Sequence, residues 1–297
     1  MKSNVSKLNP FRKVPTESLS SWGRLNGSSN KSKFSVFDLL RCCVLLLFVS
    51  VFSDNCQAGE GLKIYYIRHA EGGHNVKKNW ETYSEIPKDQ WPAYVGDPNV
   101  FTPMGKGQLE RVTGKLKRYH FDFIASSPTW RVHNTILPYM KVTGSKGEIW
   151  PELAEQRASA LILSADLPVP ITPILGAGKL IELPEAELPY FSLREDAKYC
   201  FKAPKAGATQ EHDERSSAAA RLVVRHVLDM IQERFGGTDT TILLAGHGSS
   251  GKAVLRMLTN DPLLGFPAIT NTGIWMVEEQ ADGTFKLMMF NDVPLGN

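Results

Sequence analysis

From residue 62 onward, the apolar positions of the chain follow two periods, one typical of strands and one typical of helices. Short runs rich in β-branched and aromatic residues predict strands at 62–67, 121–125, 240–245, 272–279 and 284–290. Apolar positions at helical spacing predict helices that begin at Thr102, Ser127, Ser216 and Gly248. Because strands and helices alternate, the pattern predicts an α/β sheet with helices on its faces.

One long segment, residues 157–215, departs from this pattern. It contains six prolines and shows little periodicity, and such a density of proline excludes a regular helix or a central strand. We expect an irregular, cap-like insert over the edge of the sheet. Ordinary surface packing of the same segment is the open alternative.

The first 58 residues differ in composition from the rest. Residues 1–33 are rich in Ser, Asn and Lys, a composition that cannot build a core. Residues 42–53 are nearly all apolar, but they are too few to cross a bilayer as a helix, which takes about 20 residues. Their length is typical of the apolar region of a signal peptide, and residues 56–58 form a small-x-small cleavage site.

We therefore expect a basic, low-complexity leader at 1–58, with a signal peptide or a signal-anchor in residues 34–58, followed by one domain at 59–297. The leader predicts a protein that is secreted, periplasmic or anchored on the non-cytoplasmic side of a membrane. In the anchored case residues 42–53 are the membrane tether. A buried core helix at 42–53 is the alternative.

The positive charge of the chain belongs to this leader. The whole chain has a formal net charge of +3, and residues 1–41 hold eight Lys and Arg against two acidic residues, a net of +6 that leaves 3 − 6 = −3 for the remainder. The charge therefore argues against nucleic acid as a partner. Four cysteines are too few for a disulfide scaffold, and whether Cys56 and Cys200 pair stays open.

Basic side chains and hydroxyl groups follow three of the predicted strands. Arg68 and His69 end the first strand, Ser127 and Arg131 follow the second, and His247 lies between two glycines after a third. Because the carboxyl ends of parallel strands meet at one edge of a sheet, we expect these residues to converge. Arginine binds two phosphate oxygens with its planar fork, and imidazole can attack phosphorus. The pattern predicts a phosphate site that contains a nucleophile.

These motifs resemble those of the histidine phosphatase superfamily, which includes the cofactor-dependent phosphoglycerate mutases. They appear in order as Arg68-His69-Ala70 with Asn75, the segment 101–108 with Thr102, Gly105 and Gln108, Ser127 with Arg131 and Thr135, Leu153-Ala154-Glu155, and Gly246-His247-Gly248. The resemblance runs from about residue 62 to 293. Ala70 stands where the family usually has glycine, a change of one methyl group. The G-H-G triplet argues against the acid-phosphatase and phytase branch.

The resemblance implies a three-layer α/β/α sandwich with a mostly parallel sheet, and a phosphohydrolase that acts on a phosphorylated small molecule or peptide through a phosphohistidine. It implies no metal and no cofactor. The implied roles are a nucleophile at His69, a general acid at Glu155, a protonated His247, and phosphate ligands at Arg68, Arg131 and Asn75.

Other assignments depend on weaker patterns. Glu71 and Glu152 are alternative carboxylates for the acid. The remaining histidines are predicted to be solvated, with His74 at the mouth of the site. Candidate substrate contacts are Thr102, Gly248, Tyr190 and Arg194. A mutase that returns the phosphoryl group to its product, and a non-catalytic phosphate-binding module, are the alternative functions.

Overall fold

The computed structural model describes residues 61–155, 180–194, 210–260 and 267–296, with side chains in the long helix described from Arg221. The leader, the apolar residues 42–53 and most of the 157–215 segment lie outside the described residues, so the predictions about them stay predictions. None of the helices in the described ranges has the length and apolar composition needed to cross a membrane.

Eight strands and five α-helices make up the described part of the chain. The strands are β1 (Lys63–Arg68), β2 (Phe123–Ser126), β3 (Gly147–Ile149), β4 (Phe191–Leu193), β5 (Thr241–Gly246), β6 (Ile274–Glu279), β7 (Phe285–Phe290) and β8 (Val293–Pro294). The helices are α1 (Gly73–Tyr83), α2 (Pro103–Leu116), α3 (Trp130–Thr143), α4 (Gln210–Phe235) and α5 (Gly248–Thr259), with short 3-10 turns at Lys88–Gln90 and Pro151–Leu153.

All eight strands form one sheet in the order β4-β3-β2-β5-β1-β6-β7-β8. The pairings from β4 through β1 are parallel, and those that add β6, β7 and β8 are antiparallel. The mostly parallel sheet of the sequence prediction is confirmed. Strands β2, β5 and β1 are neighbours, so their carboxyl ends lie side by side at one edge of the sheet.

Side chains that alternate along β1 separate the core into two layers. Ile64 and Tyr66 pack with α4 and α5 on one face, whereas Tyr65 and Ile67 pack with α2 and α3 on the other. This period-two division is the physical origin of the three-layer sandwich, because each strand must bury both of its faces.

The segment 157–215 is more regular than predicted where the structure describes it. Helix α4 begins at Gln210, six residues before the predicted start at Ser216. Strand β4 is only three residues long and pairs with β3 at the end of the sheet, where the neighbouring prolines do not interrupt a ladder. Helix α1 and strand β3 were not predicted, because α1 is mostly polar and β3 is short.

Close backbone approach explains why Gly73 begins α1. A Cβ atom there would overlap the carbonyl oxygen of Tyr94, and the nearby carbonyl of Asp97 would lie 2.8 Å away. Gly73→Ala is therefore expected to lower the free energy of unfolding by about 2 kcal/mol, measured by urea denaturation. Gly114→Ala in α2 is the matched control, because a Cβ atom at that position would have no neighbour within 4 Å. It should raise stability by about 0.5–1 kcal/mol, and equal effects of the two changes would contradict this account.

Candidate active site

The three adjacent strand ends bring the predicted basic and hydroxyl residues together. His69 follows β1, Ser127 follows β2 and His247 follows β5, and the His69 and His247 rings lie 5.3 Å apart, centroid to centroid. Arg131, one residue inside α3, contacts His247. His69, His247 and Arg131 are 2%, 0% and 7% exposed, so the site is a buried cluster of cations and imidazoles.

The main-chain contact of His69 determines its tautomer. Its Nδ1 lies 2.7 Å from the carbonyl oxygen of Ala70. Since a carbonyl can only accept, Nδ1 carries the proton and Nε2 holds a free lone pair. Burial, followed by the charges of Arg131 and Arg68, lowers the pKa of His69 to about 3. His69 is therefore neutral at physiological pH, as a nucleophile must be.

The segment that precedes β6 holds the loop of His69 in place. Asn271 donates from Nδ2 to the carbonyl oxygen of His69 at 3.0 Å. The backbone N–H of Thr272 donates to the carbonyl oxygen of Arg68 at 3.1 Å. From the other side, the N–H of Ala70 donates to Oγ1 of Thr135 at 2.8 Å. Thr135 was part of the motif, but Asn271 was missed because nothing in its local sequence links it to residue 69.

Hydrogen bonds surround His247 on all sides. The hydroxyl of Tyr66 accepts from the His247 N–H at 2.7 Å and donates to its carbonyl at 2.9 Å. Nε2 lies 3.1 Å from the hydroxyl oxygens of both Ser127 and Thr129, and Nδ1 accepts from Nη2 of Arg131 at 3.3 Å. The ring therefore has a fixed orientation and presents its proton at Nε2.

The surroundings of His247 bear on its expected protonated state. Burial, followed by the charge of Arg131, lowers the pKa of His247 well below its ordinary value. In addition, Nδ1 of His247 accepts a hydrogen bond from Arg131, and a ring nitrogen can accept only when the ring is neutral. Both features favour the neutral imidazole over the protonated one. A phosphate dianion beside it would add the negative charge that favours protonation.

Steric requirements explain the two glycines beside His247. A Cβ atom at Gly246 would overlap the hydroxyl of Tyr66, and one at Gly248 would lie 3.3 Å from Nε of Arg68. Gly248 therefore gives Arg68 space at the start of α5. Its predicted contact with substrate stays a prediction.

The two arginines keep N–H donors available. Arg68 donates from Nη1 to the carbonyl of Ile269 at 2.6 Å, and Arg131 donates from Nη2 to Oε2 of Glu155 at 3.0 Å. Within the described ranges, Nε of each arginine is buried without a hydrogen-bond partner. Buried donors normally have partners. These two are therefore suited to an anionic ligand.

The three carboxylate candidates occupy different environments. Glu155 binds Arg131, lies 3.9 Å from Nδ1 of His247, and its side chain is 53% exposed. Glu152 is buried and forms an ion pair with Arg194 at 2.6 Å. Glu71 accepts from the hydroxyl of Thr102 at 2.6 Å. Of the three, Glu155 is the carboxylate that contacts both an arginine and a histidine of the site.

The remaining predicted ligands divide into those near the site and those with other contacts. Asn75 accepts at Oδ1 from Gly72 N–H at 3.0 Å and lies 3.5 Å from Nδ2 of Asn271, which places it beside the His69 loop. Thr102 caps α2, accepting from Gly105 N–H at 3.0 Å.

Tyr190 and Arg194 flank β4 at the end of the sheet. Tyr190 packs at the margin of the α2–α3 core, and the Arg194 guanidinium is held by Glu152. These contacts give both residues a structural role in the described part of the chain.

The prediction that His133 is solvated is wrong. His133 is 3% exposed, and its Nε2 lies 3.1 Å from Oε2 of Glu187, which is itself 4% exposed. Helix α3 turns this ring toward the segment before β4, a placement that local sequence does not reveal. His120, whose side chain is 87% exposed, is solvated as predicted. No group of three or more His, Cys, Asp or Glu side chains that could hold a metal ion occurs among the described residues.

Comparison with a family model supports the resemblance seen in the motifs. Residues 64–161 match the model of the histidine phosphatase superfamily (branch 1), which confirms the resemblance for the motifs from Arg68 to Glu155. No curated protein sequence matches the chain.

Several solved structures match the chain at low sequence identity. A mutant phosphoserine phosphatase from Entamoeba histolytica, in complex with phosphoserine, is 18% identical with a TM-score of 0.42, over 78% of this chain and 98% of that one. A mycobacterial glucosyl-3-phosphoglycerate phosphatase is 16% identical with a TM-score of 0.45, over 77% of this chain and 98% of that one. YhfR from Bacillus stearothermophilus is 17% identical with a TM-score of 0.47, over 78% of this chain and 98% of that one.

Proposed function

We propose that this chain, whose residues 64–161 match the histidine phosphatase superfamily, hydrolyses a phosphomonoester through a phosphohistidine, without a metal ion. One observation carries the proposal. A neutral, buried His69 with a free Nε2 lone pair lies beside two arginines whose buried Nε donors have no partner in the described ranges. A nucleophile among unsatisfied cationic donors is suited to attack on a bound phosphate.

In the first step, Nε2 of His69 forms a bond to phosphorus while the ester P–O bond breaks, with its electron pair leaving on the alcohol oxygen. Glu155, in its protonated form, gives that oxygen a proton. Arg68, Arg131 and His247 stabilise the charge on the phosphoryl oxygens. The transition state for phosphoryl transfer is loose, so placement and positive charge supply most of the catalysis.

In the second step, water attacks the phosphohistidine, and the P–N bond breaks with its electron pair returning to Nε2 of His69. Glu155, now a carboxylate, takes a proton from the water. Phosphate leaves, and the protein returns to its starting state. The exposed side of Glu155 is compatible with both roles, because an alcohol and a water molecule must each reach it.

The direct test measures phosphate release by the purified full-length protein from a panel of sugar, nucleotide, amino-acid and aryl phosphates between pH 5 and 8. Rapid quenching in alkali should trap a phosphoenzyme that is stable to base and labile to acid. Release of phosphate without such an intermediate would contradict the mechanism. Binding of phosphate esters with no turnover of any of them would favour the non-catalytic alternative.

Glu155→Gln is expected to lower kcat/KM for an alkyl phosphate by about 100-fold, because an alkoxide leaves poorly without a proton. The same change should reduce kcat/KM for p-nitrophenyl phosphate less than tenfold, since nitrophenolate needs no acid. Because kcat/KM reports only the steps through phosphoenzyme formation, it is not affected by the loss of Glu155 as the base in the second step, and steady-state kinetics on both substrates check the difference. Glu110→Gln, on the exposed surface of α2, is the control. Equal losses of kcat/KM on the two substrates would assign Glu155 a role other than the acid.

A further inference from the structure

We propose that His74 is a further catalytic residue, which donates a hydrogen bond from Nδ1 to the phosphoryl group during transfer. The inference rests on the proposed phosphatase function and adds to it a third imidazole. The hydrogen bond would go to an oxygen of the phosphoryl group whose phosphorus His69 attacks.

His74 lies beside the nucleophile. It is the second residue of α1, and its ring centroid is 5.4 Å from that of His69, with the planes tilted by 45°. The His247 ring lies 5.3 Å from His69 in turn. Two imidazoles thus neighbour the ring of His69, and only one of them, His247, has hydrogen-bond partners for both of its nitrogens among the described residues.

The residue before α1 leaves space for this ring. A Cβ atom at Gly72 would lie 2.9 Å from Nδ1 of His74 and 3.1 Å from Cε1, closer than side chains tolerate. The backbone of Gly72 has φ −97°, a conformation open to any residue, so close contact with His74 is what favours glycine here. Any larger side chain would displace the imidazole from its place beside His69.

The free nitrogen of His74 points to a ligand. Its Nδ1 is buried and, in the part of the chain that the structure describes, has no hydrogen-bond partner. A buried polar atom without a partner is uncommon and needs an explanation. Burial, followed by the charges of Arg131 and Arg68, lowers the pKa of His74 to about 4, so the ring is neutral and carries one N–H. An anionic phosphoryl oxygen can only accept, and it would therefore select the tautomer with the proton on Nδ1.

Three substitutions separate this role from simple packing. The side-chain amide nitrogen of asparagine reaches about the position of Nδ1, that of glutamine reaches about the position of Nε2, and phenylalanine keeps the ring without any nitrogen. For each variant of the full-length protein, we would measure kcat/KM on one turned-over phosphomonoester and the inhibition constant of inorganic phosphate. His120→Asn on the surface is the control.

His74→Phe is expected to lower kcat/KM about tenfold or more and to weaken inhibition by phosphate, because one hydrogen bond to a charged group is lost. His74→Asn should stay within about threefold of the wild type, and His74→Gln should resemble the phenylalanine variant. A fully active His74→Phe, or equal losses in all three variants with unchanged urea unfolding, would overturn the proposal. Failure of the phosphatase function itself would differ, since the wild-type protein would then turn over no phosphomonoester at all.

Discussion

His69→Asn is expected to lower kcat/KM for any phosphomonoester substrate by about 10⁴-fold or more and to abolish the trapped phosphoenzyme. Asparagine fills part of the same space, but its amide nitrogen has no lone pair that can attack phosphorus. The arginines and His247 remain, so the variant should still bind inorganic phosphate. Loss of the nucleophile alone typically removes most of the rate enhancement of a covalent mechanism.

Rapid-quench trapping and steady-state kinetics measure the two effects of this change separately. His120→Asn is the matched control, because the His120 side chain is exposed and its ion-pair partner in the described part of the chain is Asp122. A His69→Asn protein that still forms an acid-labile phosphoenzyme would place the nucleophile elsewhere, with His247 and His74 as the next candidates.

Arg131→Lys is expected to lower kcat/KM by about 100- to 1,000-fold, although the positive charge is kept. The guanidinium binds Glu155 and His247 through Nη2 and still has a buried, unpartnered Nε within the described ranges. A lysine ammonium is a single point of charge and cannot make the same set of contacts in one plane. Removal of one donor aimed at a transition-state oxygen costs about 10²–10³ in rate.

The exposed Arg118→Lys is the control for the chemistry of the substitution. A second variant, Arg131→Ala, tests whether the guanidinium group acts at this position. Guanidine added to the assay should restore part of the activity of this variant, because a small cation can occupy the space that the side chain leaves. If Arg131→Lys retains nearly full kcat/KM, the planar geometry of Arg131 is not needed and the phosphate is held by other donors.

The order of strands and helices was predictable because each element is encoded locally. The parallel strands β1, β2 and β5 and the antiparallel pair β6 and β7 were all found within two residues of their predicted ends. Alternation of apolar residues has a short period, so a few residues suffice to identify a buried strand. Helix α1 escaped prediction because its contacts come from the loop around Tyr94 and Val100, and not from an apolar face of its own.

The residue types of the site were also encoded locally, but the contacts that hold those residues in place were not. The motifs name His69, Arg131 and His247 because each lies at a strand end, where the chain turns and the side chain is presented to the edge of the sheet. By contrast, Asn271 and Tyr66 come from positions about 200 and 180 residues away from the atoms that they bind, and no local pattern reports such a contact.

The sequence alone determined which residue types lie at the three strand ends, and therefore that a phosphate site was to be expected there. Only the tertiary structure decided that β2, β5 and β1 are neighbours, that Nδ1 of His69 carries the proton, and that burial lowers the pKa of His247. The physical reason is the same in each case. Tautomer and charge depend on burial and on the distance to other groups, and these quantities exist only once remote segments of the chain have packed together.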